Sequence, residues 1–268
     1  MRRITRASLR RSTGRTPPGY VVDVGDPLPL FPLSTVLFPQ MPLSLLIFEE
    51  RYRELVAEML DRPPEQRSFG VVAIRDGYEV GELAVHSAHR VGCEAFVRHV
   101  QRRPDGRFDL EAVGRRRFRV LEVNDEQAFL TGDVAWLDPQ PDESAHPQTA
   151  GPGSGPESGT ADAAGGEDEL HARQRALSAF EAYCRRLSIV RQAPVAIVDL
   201  PTAPTDLSYA LAAAGSFLLS DRQALLEEPD SARRLLRLAD LLRSETRAMT
   251  AVPSLPASEV SQGGWSPN

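Results

Sequence analysis

The side chains of this chain best suited to chemistry are His86, His89, Cys93 and His99, four metal-ligating groups in one short stretch. In strands this spacing scatters them over both faces, and no second thiol pair completes a tetrahedral set, so no metal site is expected. The run Arg115-Arg116-Arg117-Phe118-Arg119 could neutralise nucleic-acid phosphates. On a strand, however, Arg115, Arg117 and Arg119 share one face and Arg116, Phe118 and Val120 the other, which reads as a solvated face with few stacking platforms. All 31 basic residues are Arg and there is no Lys. A phosphate-binding loop ends in Gly-Lys-Ser/Thr because the lysine neutralises phosphate, so an ATPase site is excluded. A serine–lysine hydrolytic pair is excluded for the same lack of an amine. The run GPGSGPESG reads as a linker, no Gly-x-Ser-x-Gly elbow is present, and the acids form no paired arrangement. No cofactor is expected. Binding, not catalysis, is left.

Composition supports that direction. The chain has 268 residues, 41% hydrophobic and 25% charged, enough to bury a core. A net charge of -6 argues against a general nucleic-acid binder. The two cysteines, Cys93 and Cys184, lie far apart and suit a reducing cytoplasm. No apolar run approaches the ~20 residues of a membrane span.

The elements are organised around Leu28 to Leu60. Pro29, Pro32, Pro39 and Pro42 rule out one long helix and any central strand with full ladder bonding, so short strands at a sheet edge or barrel rim are predicted. A helix begins at Glu49, with Tyr52, Leu55, Val56, Met59 and Leu60 at helical spacing, and Pro63 and Pro64 stop it. Strands follow at Ser68 to Ile74, Glu82 to His86 and Gly92 to Gln101, the first two separated by an Asp76-Gly77 turn. Pro104-Asp105-Gly106 is a turn into Arg107 to Val113, Gly114 marks a bend, and Arg115 to Val123 and Ala128 to Leu137 close the set. Such spacing indicates a small barrel or a strongly bent sheet.

Residues 1–26 read as a disordered basic tail, 27–137 as the β-rich domain, and 138–166 as a disordered acidic Pro/Gly/Ser linker. Residues 167–250 read as a helical subdomain and 251–268 as a disordered tail. Within the helical part, Leu170, Leu177, Phe180, Cys184 and Leu187 form one stripe. Thr205-Asp206 caps the next helix, Ser220 with Gln223 forms a capping box, and Asp230 or Ser231 caps the last helix. That last helix turns Leu235, Leu238, Leu241 and Leu242 inward and Arg233, Arg237 and Arg243 outward.

Three pieces of the opening stretch, Pro29 to Leu33, Val36 to Pro39 and Pro42 to Tyr52, carry a family pattern. So do Gly92-Cys93, Pro104 to Arg107, Gly114 to Val120, and the segment LSDRQALLEEPDSARRLLRLADLL. In this order they resemble the amino-terminal substrate-binding domain of Lon-type ATP-dependent proteases over roughly Asp26 to Arg247. The resemblance implies an α+β fold: a PUA-like small β-barrel with an embedded helix, followed by a C-terminal helical subdomain. It implies a stand-alone bacterial member without the ATPase and peptidase domains, working without ATP. The expected function is non-catalytic recognition of unfolded or apolar polypeptide, or of a protein partner. Phe31, Leu33, Leu37, Phe38, Met41 and Leu43 are the candidate binding residues, against the competing reading that most of them build the core. The alternative is RNA binding by a PUA-like domain through Arg115, Arg117 and Arg119.

Overall fold

Six strands form one sheet: β1 (Leu28–Leu33), β2 (Pro42–Ile47), β3 (Ser68–Ala73), β4 (Val91–Arg102), β5 (Phe108–Asn124) and β6 (Thr131–Trp136). Their order is β2-β5-β4-β3-β1-β6, and β6 pairs back on β5, so five strands close into a ring with β2 outside it. The computed structural model describes residues 27–75, 88–125, 128–138, 162–195 and 199–251. The basic tail, the Asp76-Gly77 turn, the strand expected at Glu82 to His86, most of the linker and the last tail lie outside these residues.

β1 corrects the expectation of an edge position, since it lies between β3 and β6. Its prolines are accommodated because it divides its bonding. Leu28 and Pro29 pair antiparallel with Gly132 and Thr131, while Leu30 to Leu33 pair parallel with Gly70 to Ala73. Neither neighbour asks for an uninterrupted row of β1 N–H groups. Val36 to Phe38 form no strand and run as buried irregular chain.

Inside the ring sits Phe118, fully buried among Leu28, Leu30, Val72, Val120 and Val134. The ring is narrow: a Cβ at Gly92 would lie 2.6 Å from the Phe118 ring and 2.4 Å from the Val71 carbonyl oxygen. β5 runs as one strand through Gly114, and its pairing with β4 slips beside it, between Cys93 and Ala95. Gly114 is also needed for close approach. A Cβ there would meet the Phe38 carbonyl oxygen at 2.1 Å, and Gly114 exchanges backbone hydrogen bonds with Gln40 and Met41.

Outside the ring, helix α1 (Glu50–Leu60) buries Tyr52, Leu55, Val56 and Met59 against the sheet, with Tyr52 stacked on Phe31 at 3.9 Å. Four further helices form the helical subdomain: α2 (Asp162–Arg191), α3 (Pro204–Ala214), α4 (Leu219–Glu227) and α5 (Ser231–Ala251). α2 starts earlier than the apolar stripe predicts, and it runs alongside α5 in the same direction. Glu169 bonds Ser231, Arg175 pairs with Asp240, and Arg186 bonds the Met249 carbonyl. Its buried stripe is Ala172, Ala176, Phe180, Tyr183 and Leu187, whose small members let the α5 leucines approach. Leu170, assigned to that stripe from sequence, is 54% exposed. Two expected caps are also corrected: α3 and α4 start at Ala203 and Leu218 without side-chain caps, and Gln223 turns to the Val91 carbonyl instead. Asp230 does cap α5, accepting the Arg233 N–H at 2.7 Å. Among the described residues no helix is long and apolar enough to cross a membrane.

Candidate functional site

The six residues singled out for peptide binding lie in the interior or against it. Phe31, Leu37 and Leu43 are buried between α1 and the sheet, and Phe38 is buried against the helical subdomain. Leu33 and Met41 are half-buried and pack on the same clusters. They form no open groove. The exposed apolar groups of this stretch lie just beyond them, on β2. There Leu43 and Ile47 point inward, while Pro42, Ser44 and Leu46 point outward. Leu46 is 42% exposed and Phe48, which follows the strand, is 61% exposed. Among the described strands β2 pairs with β5 alone, so its other edge is open. Sequence reasoning passed over Leu46 and Phe48 because PLSLLIF is almost wholly apolar and hides its alternation. The one polar residue, Ser44, marks the outward face.

The arginine run does not form a solvated face. Arg117 is 5% exposed and points into the seam between ring and helices. Its guanidinium grips Asp138 at 2.8 Å and donates to the Leu226 and Glu228 carbonyls, both at 3.0 Å. Burial works against its charge, but the Asp138 hydrogen bond and the neighbouring Tyr209 and Asp138 hold its pKa above the ordinary arginine value. Arg116 pairs with Glu94 at 2.9 Å and lies 3.4 Å over the Trp136 ring. Arg115 stacks 3.4 Å over Phe96, and Arg119 is exposed. The alternation argument failed because both faces of β5 are covered at this point, one by the ring interior and one by the helices.

Two more arginines, which carry no sequence signal of their own, back the seam: Arg222 crosses it, and Arg234 holds the helices together behind it. Arg234, 1% exposed, donates to the Leu225 and Glu228 carbonyls and to Ser208 Oγ. Arg222 donates to the Ala212 and Gly215 carbonyls and reaches the Val36 carbonyl at 3.2 Å. Apart from Val36, these carbonyls lie at the ends of α3 and α4, where helices leave acceptors unpaired and a partial negative charge favours cations. Burial lowers the pKa of both arginines, yet a guanidinium remains charged throughout the ordinary pH range. Tyr209 lies beneath them, 4.2 Å from Arg234, with its hydroxyl unpaired; burial raises its pKa to about 12.

The expected absence of a metal set rests on residues that the structure partly describes. His89 Nδ1 lies 3.9 Å from Glu227, and Cys93 is buried, which drives its thiol pKa well up. Among the described residues no group of three or more His, Cys, Asp or Glu could hold a metal ion. His86 lies outside them.

Comparison with known proteins agrees with this architecture. The family of the ATP-dependent protease La (LON) substrate-binding domain matches residues 27–244. A Lon protease from Parabacteroides distasonis is 28% identical over 124 residues, covering 45% of this chain and 14% of that protein. The chain thus matches a small part of that curated relative. A crystal structure of a Lon N-terminal domain protein from Xanthomonas campestris is 25% identical, with a TM-score of 0.50. The match covers 80% of this chain and 96% of that one. This chain belongs to the Lon substrate-binding domain family.

Proposed function

We propose, with that membership as the premise, that this chain is a non-catalytic polypeptide-recognition domain that captures extended apolar segments on the outward face and open edge of β2. The observation that carries the reading is the coincidence of an unpaired strand edge with Leu46 and Phe48, the two large exposed apolar groups beside it. An extended segment added to such an edge gains main-chain hydrogen bonds, and alternate side chains set the preference. Pro42 at the first position shortens the row of donors and discourages pairing between copies along the whole edge. Unfolded apolar protein segments are the occupants this chemistry favours. The chain has no lysine, so it can supply neither a phosphate-loop lysine nor a serine–lysine pair; recognition proceeds without ATP and without peptide cleavage. Both cysteines are free and buried, which suits a reducing compartment such as the cytoplasm. Among Arg115, Arg117 and Arg119, only Arg119 is fully exposed, so the RNA reading lacks its basic stripe.

Titrating the protein into fluorescently labelled, reduced and carboxymethylated α-lactalbumin tests this reading. Saturable binding is expected without nucleotide, with a loss of about tenfold or more in the Leu46→Ser, Phe48→Ser double variant, which should fold normally. Absence of binding, or equal binding by the double variant, sinks the reading.

A further inference from the structure

The ring has a feature that β2 does not share. At the end where β4 begins and β5 finishes, a cavity of about 330 Å³ opens into the ring mouth. Its floor is Leu30, Val72 and Val120, continuous with the apolar filling around Phe118. Ligand sites favour barrel mouths and run from about 300 to 1,000 Å³, so this volume suits one or two side chains and not a folded partner.

The rim is built differently from the floor. The β5–β6 pairing slips between Val120 and Glu122, a β-bulge that leaves Leu121 46% exposed on the cavity wall. Bulges concentrate at barrel rims and binding sites because they re-aim a side chain. Next to it, Glu122 and Asp125 place two exposed carboxylates on the lining, against one guanidinium, Arg90. Among the described residues neither carboxylate has a hydrogen-bond or ion-pair partner. Glu122 also lies directly opposite Asp133, an acid facing an acid across an antiparallel pair. Such pairs are destabilising, and a cation docked between them would relieve the repulsion.

We infer that the ring mouth is a second binding site, which takes an aliphatic side chain flanked by a basic residue from an extended polypeptide of another protein. The apolar floor receives the aliphatic group, Leu121 closes over it, and Glu122 and Asp125 pair with the flanking arginine or lysine. Phosphate-bearing ligands meet the wrong sign of charge. The site is distinct from β2: from Val113, the last β5 residue beside β2, to Val120 is about 23 Å at ~3.3 Å per residue. It therefore does not rest on the β2 reading.

The test is fluorescence anisotropy with labelled Gly-Ser-Arg-Leu-Arg-Ser-Gly, its Glu-Leu-Glu counterpart, and a Gly-for-Leu version. The basic peptide is expected to bind, the acidic peptide and the glycine version at least about tenfold more weakly. The Glu122→Arg, Asp125→Arg double variant should lose the basic peptide by a similar factor while keeping α-lactalbumin binding through Leu46 and Phe48. Both substitutions are at exposed positions, and a thermal midpoint at or above that of the unaltered protein verifies folding, since an arginine at 122 faces Asp133. Equal affinity for the acidic peptide, no binding, or indifference to the double variant overturns the assignment, whatever happens at β2. Truncating residues 2–16 should leave the affinity unchanged. A rise would make the chain's own Arg-rich start the occupant, and self-association abolished by the double variant would make it a second copy; either overturns the assignment to another protein.

Discussion

Inside the strand ring Phe118 sits in an apolar cluster that depends on glycines to admit it, whereas the seam to the helices is fastened by Arg117 and Arg222, with Arg234 tying the helices together behind it, all reaching backbone carbonyls. The first region tolerates no added volume. The second tolerates no lost donor, because a carbonyl left buried and unpaired costs about 1–3 kcal/mol. Apolar packing thus sets the shape of the ring, while charged hydrogen bonds fix how the helices sit on it.

The sharpest way to break the contrast is to add volume to the ring. Gly92→Val would drive a side chain into the Val71 carbonyl, 2.4 Å from the nearest Cβ position, as well as into Phe118. A loss above about 4 kcal/mol, enough to prevent folding, is expected by urea denaturation. A well-folded Gly92→Val protein would show that the ring can widen. Next comes Arg234→Met, which keeps the volume and removes the donors to Leu225, Ser208 and Glu228. A loss of about 3 kcal/mol is expected. Hydrogen exchange should accelerate in α3 to α5 more than in the ring; uniform acceleration would make the two regions one cooperative unit.

Tyr209 gives a smaller and pH-dependent effect. Burial keeps its hydroxyl neutral in the folded protein up to about pH 12, while an unfolded tyrosine ionises near the ordinary value of about 10. Between about pH 10 and 12 the folded state binds more protons, so stability falls as pH rises, by roughly 2–3 kcal/mol over the window. Denaturation midpoints at pH 9 and 11 should show this fall, and Tyr209→Phe should lessen it. The smallest effect is expected on the surface. Arg103 donates twice to Asp109, but both are exposed, so Asp109→Asn should leave the thermal midpoint at pH 7 within error. A clear drop would mean that the β4–β5 hairpin end matters more to the ring than its exposure suggests.

Much of this fold was legible in the sequence, and what was hidden has a common cause. Spacing placed α1, because Tyr52, Leu55, Val56 and Met59 bury one helical face. Alternation placed β4, proline and glycine chemistry placed the Pro104-Asp105-Gly106 turn, and strands precede and helices follow the acidic stretch after Trp136, α1 apart. Patterns within one element could not say what lies on its far side. Arg117 was read as solvated because nothing in RRRFR reveals that α4 ends against it. Phe38 looked like a binding group because no local signal says that the helical subdomain covers it. Arg234 looked like any other arginine of a helix whose leucines alone mark the inward face. The candidates from Phe31 to Leu43 were conspicuous for the same reason: all six lie in the core or pack against it. Leu46, on the outward side of β2, and Phe48, just past its end, continue the same apolar run but are exposed.

The split pairing of β1 also bears on how the chain is made. Its parallel partner β3 arrives some 40 residues later, but Pro29 must wait for Thr131, about a hundred positions downstream. At synthesis rates of roughly 5–20 residues per second, that delay is about 5–20 s. For that time Leu28, Leu30 and Phe31 belong to a strand whose ring cannot close. Pro29 and Pro32 interrupt the donor row that a premature neighbour would need. The prolines that made this stretch look unfit for the middle of a sheet also make it a poor template for wrong pairing before its proper partner has been made.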